Sequence, residues 1–165
     1  MKSPLVTICI PVYGVENYIE RCARSVFNQT YDNIEYIFVD DCGPDRSIEI
    51  LKNVIVDYPN RKTNVWIINH EHNKGLAGAR NTAIDNASGS FVLHVDSDDY
   101  IPSDYVSTIL MKQQEGDYDI VVNKVVSVLY NKKKYNPFVA ELEKETYLEK
   151  IFARNTSVRL NSSER

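Results

Sequence analysis

An α/β fold with a mostly parallel central sheet is what this sequence predicts, and three observations carry that expectation. Short β-branched apolar runs alternate with segments of helical period from the N-terminus onward. The first run, Leu5–Ile10 (LVTICI), lacks the strict polar–apolar alternation of a half-exposed strand and suits one covered on both faces. Polar and acidic residues gather directly after successive runs, where open α/β sheets bind ligands. At 165 residues the chain corresponds to about one domain, and its 43% apolar and 25% charged content is that of an ordinary globular protein.

Taken in order, Pro11 stops the first strand, and Ile19, Cys22, Ala23, Val26 and Phe27 then repeat at i, i+3, i+4, i+7 and i+8. That spacing predicts a helix of about 11 residues packed on the sheet. Ile34–Val39 (IEYIFV) is the second strand, ending in Asp40-Asp41. Cys42-Gly43-Pro44-Asp45 supplies a turn and a helix cap, and Ile48, Leu51, Ile55 and Tyr58 mark a second helix stopped by Pro59-Asn60. Val65–Asn69 (VWIIN) is the third strand. After the polar turn Asn73-Lys74-Gly75, a third helical stripe of Leu76, Ala79, Ala83, Ile84 and Ala87 ends at Ser88-Gly89. Phe91–Val95 (FVLHV) is the fourth strand and runs into Asp96-Ser97-Asp98-Asp99. Pro102-Ser103-Asp104 opens a helix carrying Val106, Ile109 and Leu110. Farther on, Asp119–Leu129 reads as a fifth strand, Asn131–Tyr135 (NKKKY) as a charged turn and Lys144–Arg154 as a helix. No repeat or low-complexity linker marks a second domain, so residues 1–165 are expected to form one.

The balance of 19 Lys+Arg against 23 Asp+Glu gives a net charge of −4, which argues against a nucleic-acid partner. Cys9, Cys22 and Cys42 are odd in number and without a CxxC pair, so neither a disulfide framework nor a zinc site is expected and a reducing compartment fits. No apolar run approaches the roughly 18 residues that span a bilayer, and the N-terminus passes straight into a strand, so a soluble, cytoplasmic chain is expected. Asn-x-Ser/Thr triplets at Asn28, Asn86, Asn155 and Asn161 are ordinary chance occurrences without a secretory signal.

Four strand-end loops then point to one crevice: Pro11-Val12-Tyr13, Asp40-Asp41, Asn73 to Arg80, and Asp96 to Asp99. Carboxylates crowded as in Asp96-Ser97-Asp98 repel one another unless a hard cation such as Mg2+ or Mn2+, or a basic partner, neutralises them; a solvated turn capping the next helix is the plain alternative. Asp40 and Asp41 are either turn residues or acceptors for a nucleobase edge or ribose hydroxyls, with Tyr13 offering a ring face or hydroxyl. Arg80 can grip a carboxylate or a diphosphate, or form a surface ion pair. His70-Glu71-His72 reads as an exposed turn without a third metal ligand, His94 as a satisfied core histidine, and Lys132-Lys133-Lys134 as a solvated turn or, less simply, a contact for an anionic surface. No GxGxxG or GxxxxGK[ST] motif is present.

Together, VTICIPVYGVENYIERCARSVFNQTYDNIEYIFVDD, NKGLAGARNTAI and GSFVLHVDSDDYIPSDY, running in unbroken order from about Pro4 to Asp104, resemble the nucleotide-binding half of the family 2 glycosyltransferases. The resemblance implies a GT-A fold, a Rossmann-like three-layer sandwich. It implies that Pro11, Tyr13 and Asp41 hold the nucleoside of a sugar-nucleotide donor with Asp40 beside them, that Arg80 lies near the diphosphate, and that Asp96 and Asp98 form a DxD pair with Asp98 the leading metal ligand. It further implies inverting transfer from a nucleoside diphosphate sugar, most simply a UDP-sugar, to a glycan or lipid-linked acceptor, aided by Mn2+ or Mg2+, in the cytoplasm with peripheral contact at the inner face of the membrane. Where the family often carries Asn and Gly-Ser, this chain has Gly14 and Cys42-Gly43. The family's general base comes from a later Asp or Glu; Glu115, Asp117, Asp119, Glu141, Glu143 and Glu145 sit in no recognisable motif, so the chain is expected to be truncated before the full acceptor-binding half. A non-catalytic sugar-nucleotide-binding module is the competing expectation. A nucleotidyltransferase would need a Gly-rich N-terminal loop that is missing, and a phospho-receiver domain would carry its acidic pair after the first strand.

Overall fold

The computed structural model describes residues 3–116, 120–121, 126–129 and 132–135. The chain divides into two compact units, Met1–Tyr118 and Asp119–Arg165.

The first unit is built on four parallel strands, β1 (Val6–Val12), β2 (Ile34–Asp40), β3 (Val65–Asn69) and β4 (Phe91–His94), in the order β3-β2-β1-β4. Helices α1 (Ile19–Phe27) and α2 (Ser47–Val56), the single turn α3 (Pro59–Lys62), and helices α4 (Gly75–Asp85) and α5 (Tyr105–Gly116) join and follow them. From β1 the chain steps outward to β2 and β3, then returns to place β4 on the other side of β1. The direction of winding therefore reverses between β1 and β4, which is where sheets of this kind open a crevice beyond their strand ends.

Alternation sorts the side chains of β1 and β2 into two cores. Val6, Ile8, Ile10 and Val12 with Ile34, Tyr36 and Phe38 face the buried stripes of α1, α2 and α5. Cys9, Ile37 and Val39 face Ala79 and Ala83 of α4. Both central strands are thus covered on both faces, and three layers result, as the apolar composition of LVTICI and IEYIFV predicts. Phe27 anchors the first core: its ring meets Tyr36 edge-on at 5.0 Å and lies 5.2 Å from Tyr58, a burial that contributes about 1.5–3 kcal/mol. Burial raises the Cys9 thiol to about 11 and the Cys22 thiol to about 12, so both stay neutral at ordinary pH.

Several boundaries differ from the sequence reading. β1 runs through Pro11 to Val12 instead of stopping at it, with Pro11 opposite Val39. The reason lies in the register: Cys9 turns its carbonyl toward β4, accepting from the Val95 amide at 3.1 Å, and Pro11, two residues on, turns the same way after β4 has ended. Its missing N–H forfeits no ladder bond. Pro59 does more than stop α2, since it opens α3 at the first helical position. In α4 only Ala79 and Ala83 of the expected stripe are buried, while Leu76 and Ile84 are exposed.

In the second unit, β5 (Val126–Leu129) and β6 (Lys132–Tyr135) pair antiparallel with Leu129 opposite Lys132. The lysine run is therefore a strand and not a turn, because the β-branched segment before it supplies a hydrogen-bonding partner and lysine is at home on a sheet edge. The part of the fifth strand expected over 119–125 and the helix expected over Lys144–Arg154 lie outside the described strand and the described residues respectively. Among the described residues no helix is long and apolar enough to cross a membrane.

Candidate functional site

Because all four strands of the first unit are parallel, their C-terminal ends share one edge, and the loops that follow them are tied together by named bonds. After β1, Tyr13 is 52% exposed, and Gly14 turns the chain at φ +64°. The Val15 amide then donates to Ser47 Oγ (3.0 Å) and the Glu16 amide to Asp45 Oδ2 (2.8 Å). Asp45 also accepts from the Ser47 amide and hydroxyl, so it satisfies the first amide of α2 from one residue before the cap, while the capping position expected of it is held by Arg46 without a side-chain bond. Burial pushes the Asp45 carboxyl up, yet these hydrogen bonds outweigh it and hold the group below its ordinary value.

After β2 the two aspartates part ways. Asp40 is half-buried, and its Oδ1 accepts from the Gly43 amide at 3.1 Å in a tight turn. Gly43 lies against the β1 loop, where a Cβ would stand 3.4 Å from Gly14 N and 3.6 Å from the Tyr13 Cα. Asp41 is 2% exposed. Its Oδ1 accepts from His70 Nδ1 and from the Lys74 amide, both at 2.7 Å, at the N-terminus of α4. Burial raises this carboxyl, but the Lys74 amide, the His70 ring and the Gly75 amide together bring it below the usual aspartate range. Between Asp41 and Gly43, Cys42 is exposed and adopts φ +63°, a conformation that costs a non-glycine residue about 1 kcal/mol or more.

His70 is a correction to the sequence reading. It is buried, not part of an exposed turn: its amide extends the ladder by donating to Asp40 O, and its Nε2 lies 2.8 Å from Thr82 Oγ1 of α4. The signal was present in the period of two, since Ile68 points at α4 and His70 follows it onto the same face. His72 and Glu71 are exposed as expected. His94 is corrected in the opposite sense. It is exposed on β4 and not a core residue, because α4 crosses β1 and β2 and leaves open the face of β4 that carries Val92 and His94, while Phe91 and Leu93 pack on the other side. Partial desolvation, then the charge of Arg80, lowers its pKa, against a weaker pull from Asp96.

After β4, Asp96 Oδ1 accepts from Arg80 Nη2 at 2.6 Å, both side chains being partly open to solvent. The Arg80 Nε is buried without a hydrogen-bond partner. Asp98 is exposed. Burial and the neighbouring charges of Asp98 and Asp96 raise the Asp99 carboxyl, while Arg21 opposes them. The backbone of this acidic loop is held from α1. Arg21 Nη2 donates to Asp98 O at 3.1 Å with its guanidinium 4.6 Å above the Tyr100 ring, Cys22 Sγ donates to Asp96 O at 3.7 Å, and the Ile101 amide donates to Ser25 Oγ at 3.2 Å. Gln29 completes the row by donating to Pro102 O (2.6 Å) and accepting from the Val106 amide (3.0 Å). Sequence reasoning read α1 only as a packing helix. Arg21 and Ser25 stand four residues apart on α1, and Gln29 follows four further on just past its end; that spacing is the signal for a second working face.

Among the described residues, no cluster of three His, Cys, Asp or Glu side chains is placed to enclose a metal ion. Asp96 and Asp98 are nonetheless a hard-oxygen pair at the crevice, and one or two carboxylates are what Mg2+-type sites draw from a protein when substrate phosphates complete the shell. The donor set fits such an ion by its chemistry.

Comparison with known proteins accounts for this arrangement. The sequence profile described as Glycosyl transferase family 2 matches residues 7–163. Glycosyltransferase GlyA of Streptococcus pneumoniae is 39% identical over 147 residues, which is 89% of this chain and 20% of GlyA. Staphylococcus aureus TarS (residues 1–349, solved with UDP) superimposes with a TM-score of 0.60 at 30% identity, over 67% of this chain and 32% of that one. A mannosyltransferase of Pyrobaculum calidifontis, solved with GDP-mannose and Mn2+, shares the fold with a TM-score of 0.63 at 24% identity over 68% of this chain and 33% of its own. The chain thus spans a fifth of GlyA and about a third of each solved neighbour. Glycosyltransferases of this fold commonly use divalent metals. With its parallel sheet, its strand-end loops and a profile match over most of its length, the chain belongs to glycosyl transferase family 2 and has the GT-A fold.

Proposed function

We propose that this chain is the donor-binding part of an inverting glycosyltransferase that takes a sugar from a nucleoside diphosphate sugar, with uridine as the nucleoside, and passes it to a glycan or lipid-linked acceptor. The observation that carries the reading is the Arg80–Asp96 pair, 2.6 Å apart, beside the reversal of strand order. A diphosphate and its cation would each take one member of that pair. Pro11, Tyr13, Asp40 and Asp41 form the nucleoside end, where the Tyr13 ring and hydroxyl are open to a ligand. Arg80 meets the diphosphate, and its buried, unpartnered Nε is a donor in reserve for a phosphate oxygen.

Asp98, with Asp96, would hold Mg2+ or Mn2+, whose charge offsets the negative charge gathering on the departing diphosphate. Arg21 fixes the Asp98 backbone so that its carboxylate is free for this task. The proton of the attacking hydroxyl goes to a carboxylate in the acceptor-binding part of the longer enzyme. Glu115, the described member of the later acidic residues, is instead paired with Lys112 at 2.7 Å on α5. The UDP bound by TarS supports the choice of uridine. The cytoplasm, with peripheral contact at the inner membrane face, is the compartment this reading implies.

The test is thermal unfolding of the chain against UDP, GDP, CDP and their sugar conjugates, with and without Mn2+. At a hundred times its Kd a ligand adds about 2.7 kcal/mol, a rise of about 5–10 °C for a domain of this size. A Mn2+-dependent rise with UDP and a UDP-sugar is expected. No rise with any nucleotide sinks the reading.

A further inference from the structure

We propose that His70 is a positioning residue of the donor site, acting through Asp41; the inference rests on Asp41 serving the nucleoside end as read above. The His70 side chain is 3% exposed and both ring nitrogens are engaged, Nδ1 with Asp41 Oδ1 at 2.7 Å and Nε2 with Thr82 Oγ1 at 2.8 Å. An ionised carboxylate only accepts, so the nitrogen facing Asp41 carries the proton. The ring therefore bridges three segments: the loop after β2, the residue just past β3 on which it sits, and α4, where Thr82 stands two residues beyond Arg80.

The polarity of this bridge runs against packing. Behind it lies the apolar face of Cys9, Ile37, Val39, Ala79 and Ala83 with Ile68, and an apolar side chain at position 70 would extend that face at no desolvation cost. The buried imidazole instead holds the Asp41 carboxylate from a second direction, beside the Lys74 amide. Buried, fully satisfied polar chains of this kind rigidify what they hold more than they stabilise a fold. Asp41 is gripped at one oxygen from two directions, by the ring and by the Lys74 amide, so its plane is set before a ligand arrives. Such outer partners set the affinity of the groups they orient.

The experiment measures Kd for uridine, UDP and inorganic pyrophosphate at fixed Mn2+ with the full chain. His70→Leu is expected to weaken uridine and UDP about tenfold, as loss of an orienting partner does at other sites, and to leave pyrophosphate within twofold. His70→Asn, which keeps an N–H for Asp41, is expected to recover most of the loss. In an Asp41→Asn background His70→Leu is expected to add less than twofold, the mark of a residue acting through another. Thr82→Val, which removes one hydroxyl and leaves both partners of the Asp41–His70 bond, is expected to weaken UDP about threefold and carries the test where His70→Leu does not fold. Unchanged UDP affinity in the folded His70→Leu or Thr82→Val protein overturns the proposal. So does an equal loss for pyrophosphate, or a full additional loss in the Asp41→Asn background. Wild-type chain that binds neither uridine nor UDP overturns the donor reading itself, and the inference with it.

Discussion

The two ends of the same parallel sheet treat charge in opposite ways. At the N-terminal end, Glu35 on β2 accepts from Thr7 Oγ1 (2.7 Å), the Ser88 amide (3.0 Å) and the Ser88 hydroxyl (2.8 Å), while Thr7 Oγ1 accepts in turn from the Gly89 amide (2.9 Å). Glu35, Thr7, Ser88 and Gly89 thus satisfy one another inside the protein, although the Tyr36 hydroxyl beside them on β2 is buried without a partner. At the C-terminal end the backbone is fastened as firmly, through Arg21, Cys22, Ser25 and Gln29, yet the head groups are left with spare capacity: Asp98 is exposed, Tyr13 is open, and Arg80 Nε lacks an acceptor. Rigid main chain under side chains that keep spare capacity toward solvent sets this candidate site apart from a seam, where the ionised group is closed off by its neighbours.

The largest effect that tests this contrast belongs at the closed end. A Cβ on Gly89 would stand 2.7 Å from both Thr7 N and Thr7 Oγ1 and 2.9 Å from Leu5 O, all in or beside β1. Gly89→Ala is expected to cost about 3 kcal/mol, read as a fall in Tm, with Kd for UDP unchanged in the folded protein. An unchanged Tm would show that this end is not tightly closed. A smaller effect attends Glu35. Burial raises its carboxyl, but the bonds from Ser88 and Thr7 prevail and hold it below its ordinary value. A group whose folded pKa is depressed contributes stability above its unfolded pKa, about 4.3 for glutamate, and that contribution disappears as pH falls through the folded value. Glu35→Gln is expected to cost about 1–2 kcal/mol at pH 7 and to flatten the acid limb of stability against pH, with Asp41 and Asp45, held low in the same way, keeping the remainder. An acid limb identical to wild type would remove Glu35 from the account.

The smallest effect on stability is expected at the open end. Asp98→Ala leaves the carbonyl that Arg21 holds, so stability changes by about 0.5 kcal/mol or less, while the Mn2+-dependent part of UDP binding is lost. Mn2+-dependent binding equal to wild type in that variant would remove Asp98 from the metal site. A large fall in Tm would instead make the acidic loop a seam like the other end.

Much of this was legible because periodicity is local. The stripe Ile19, Cys22, Ala23, Val26 and Phe27 needs no knowledge of the rest of the chain, and all five residues are buried. What sequence reasoning missed depends on neighbours it cannot see. Pro11 reads as a stop unless one knows that β4 has already ended beside it. His94 reads as core unless one knows that α4 leaves its face of β4 open. His70 was within reach, because alternation from Ile68 aims it at α4, but the adjacent Glu71 and His72 drew it into a turn. The lysines of β6 spell a strand only when Val126–Leu129 is seen to lie opposite. The strand-end placement of Tyr13, Asp40, Asp41, Asp96 and Asp98, and of Arg80 on the helix after β3, was legible throughout; that Asp41 lies buried was not, since that is decided by the fit of α4.

That fit rests on methyl groups. Ala79 and Ala83 are the buried residues of α4, so the helix lies against β1 and β2 with the smallest side chains that still fill the gap. Arg80 is the next residue after Ala79, and the height at which its guanidinium meets Asp96 is therefore gauged by a single carbon. Volume at position 79 acts as a shim: a bulkier residue would lift the arginine from Asp96 without altering any charge. The spacing of the Arg80–Asp96 pair is thus adjustable from inside the core, at a residue that carries no charge.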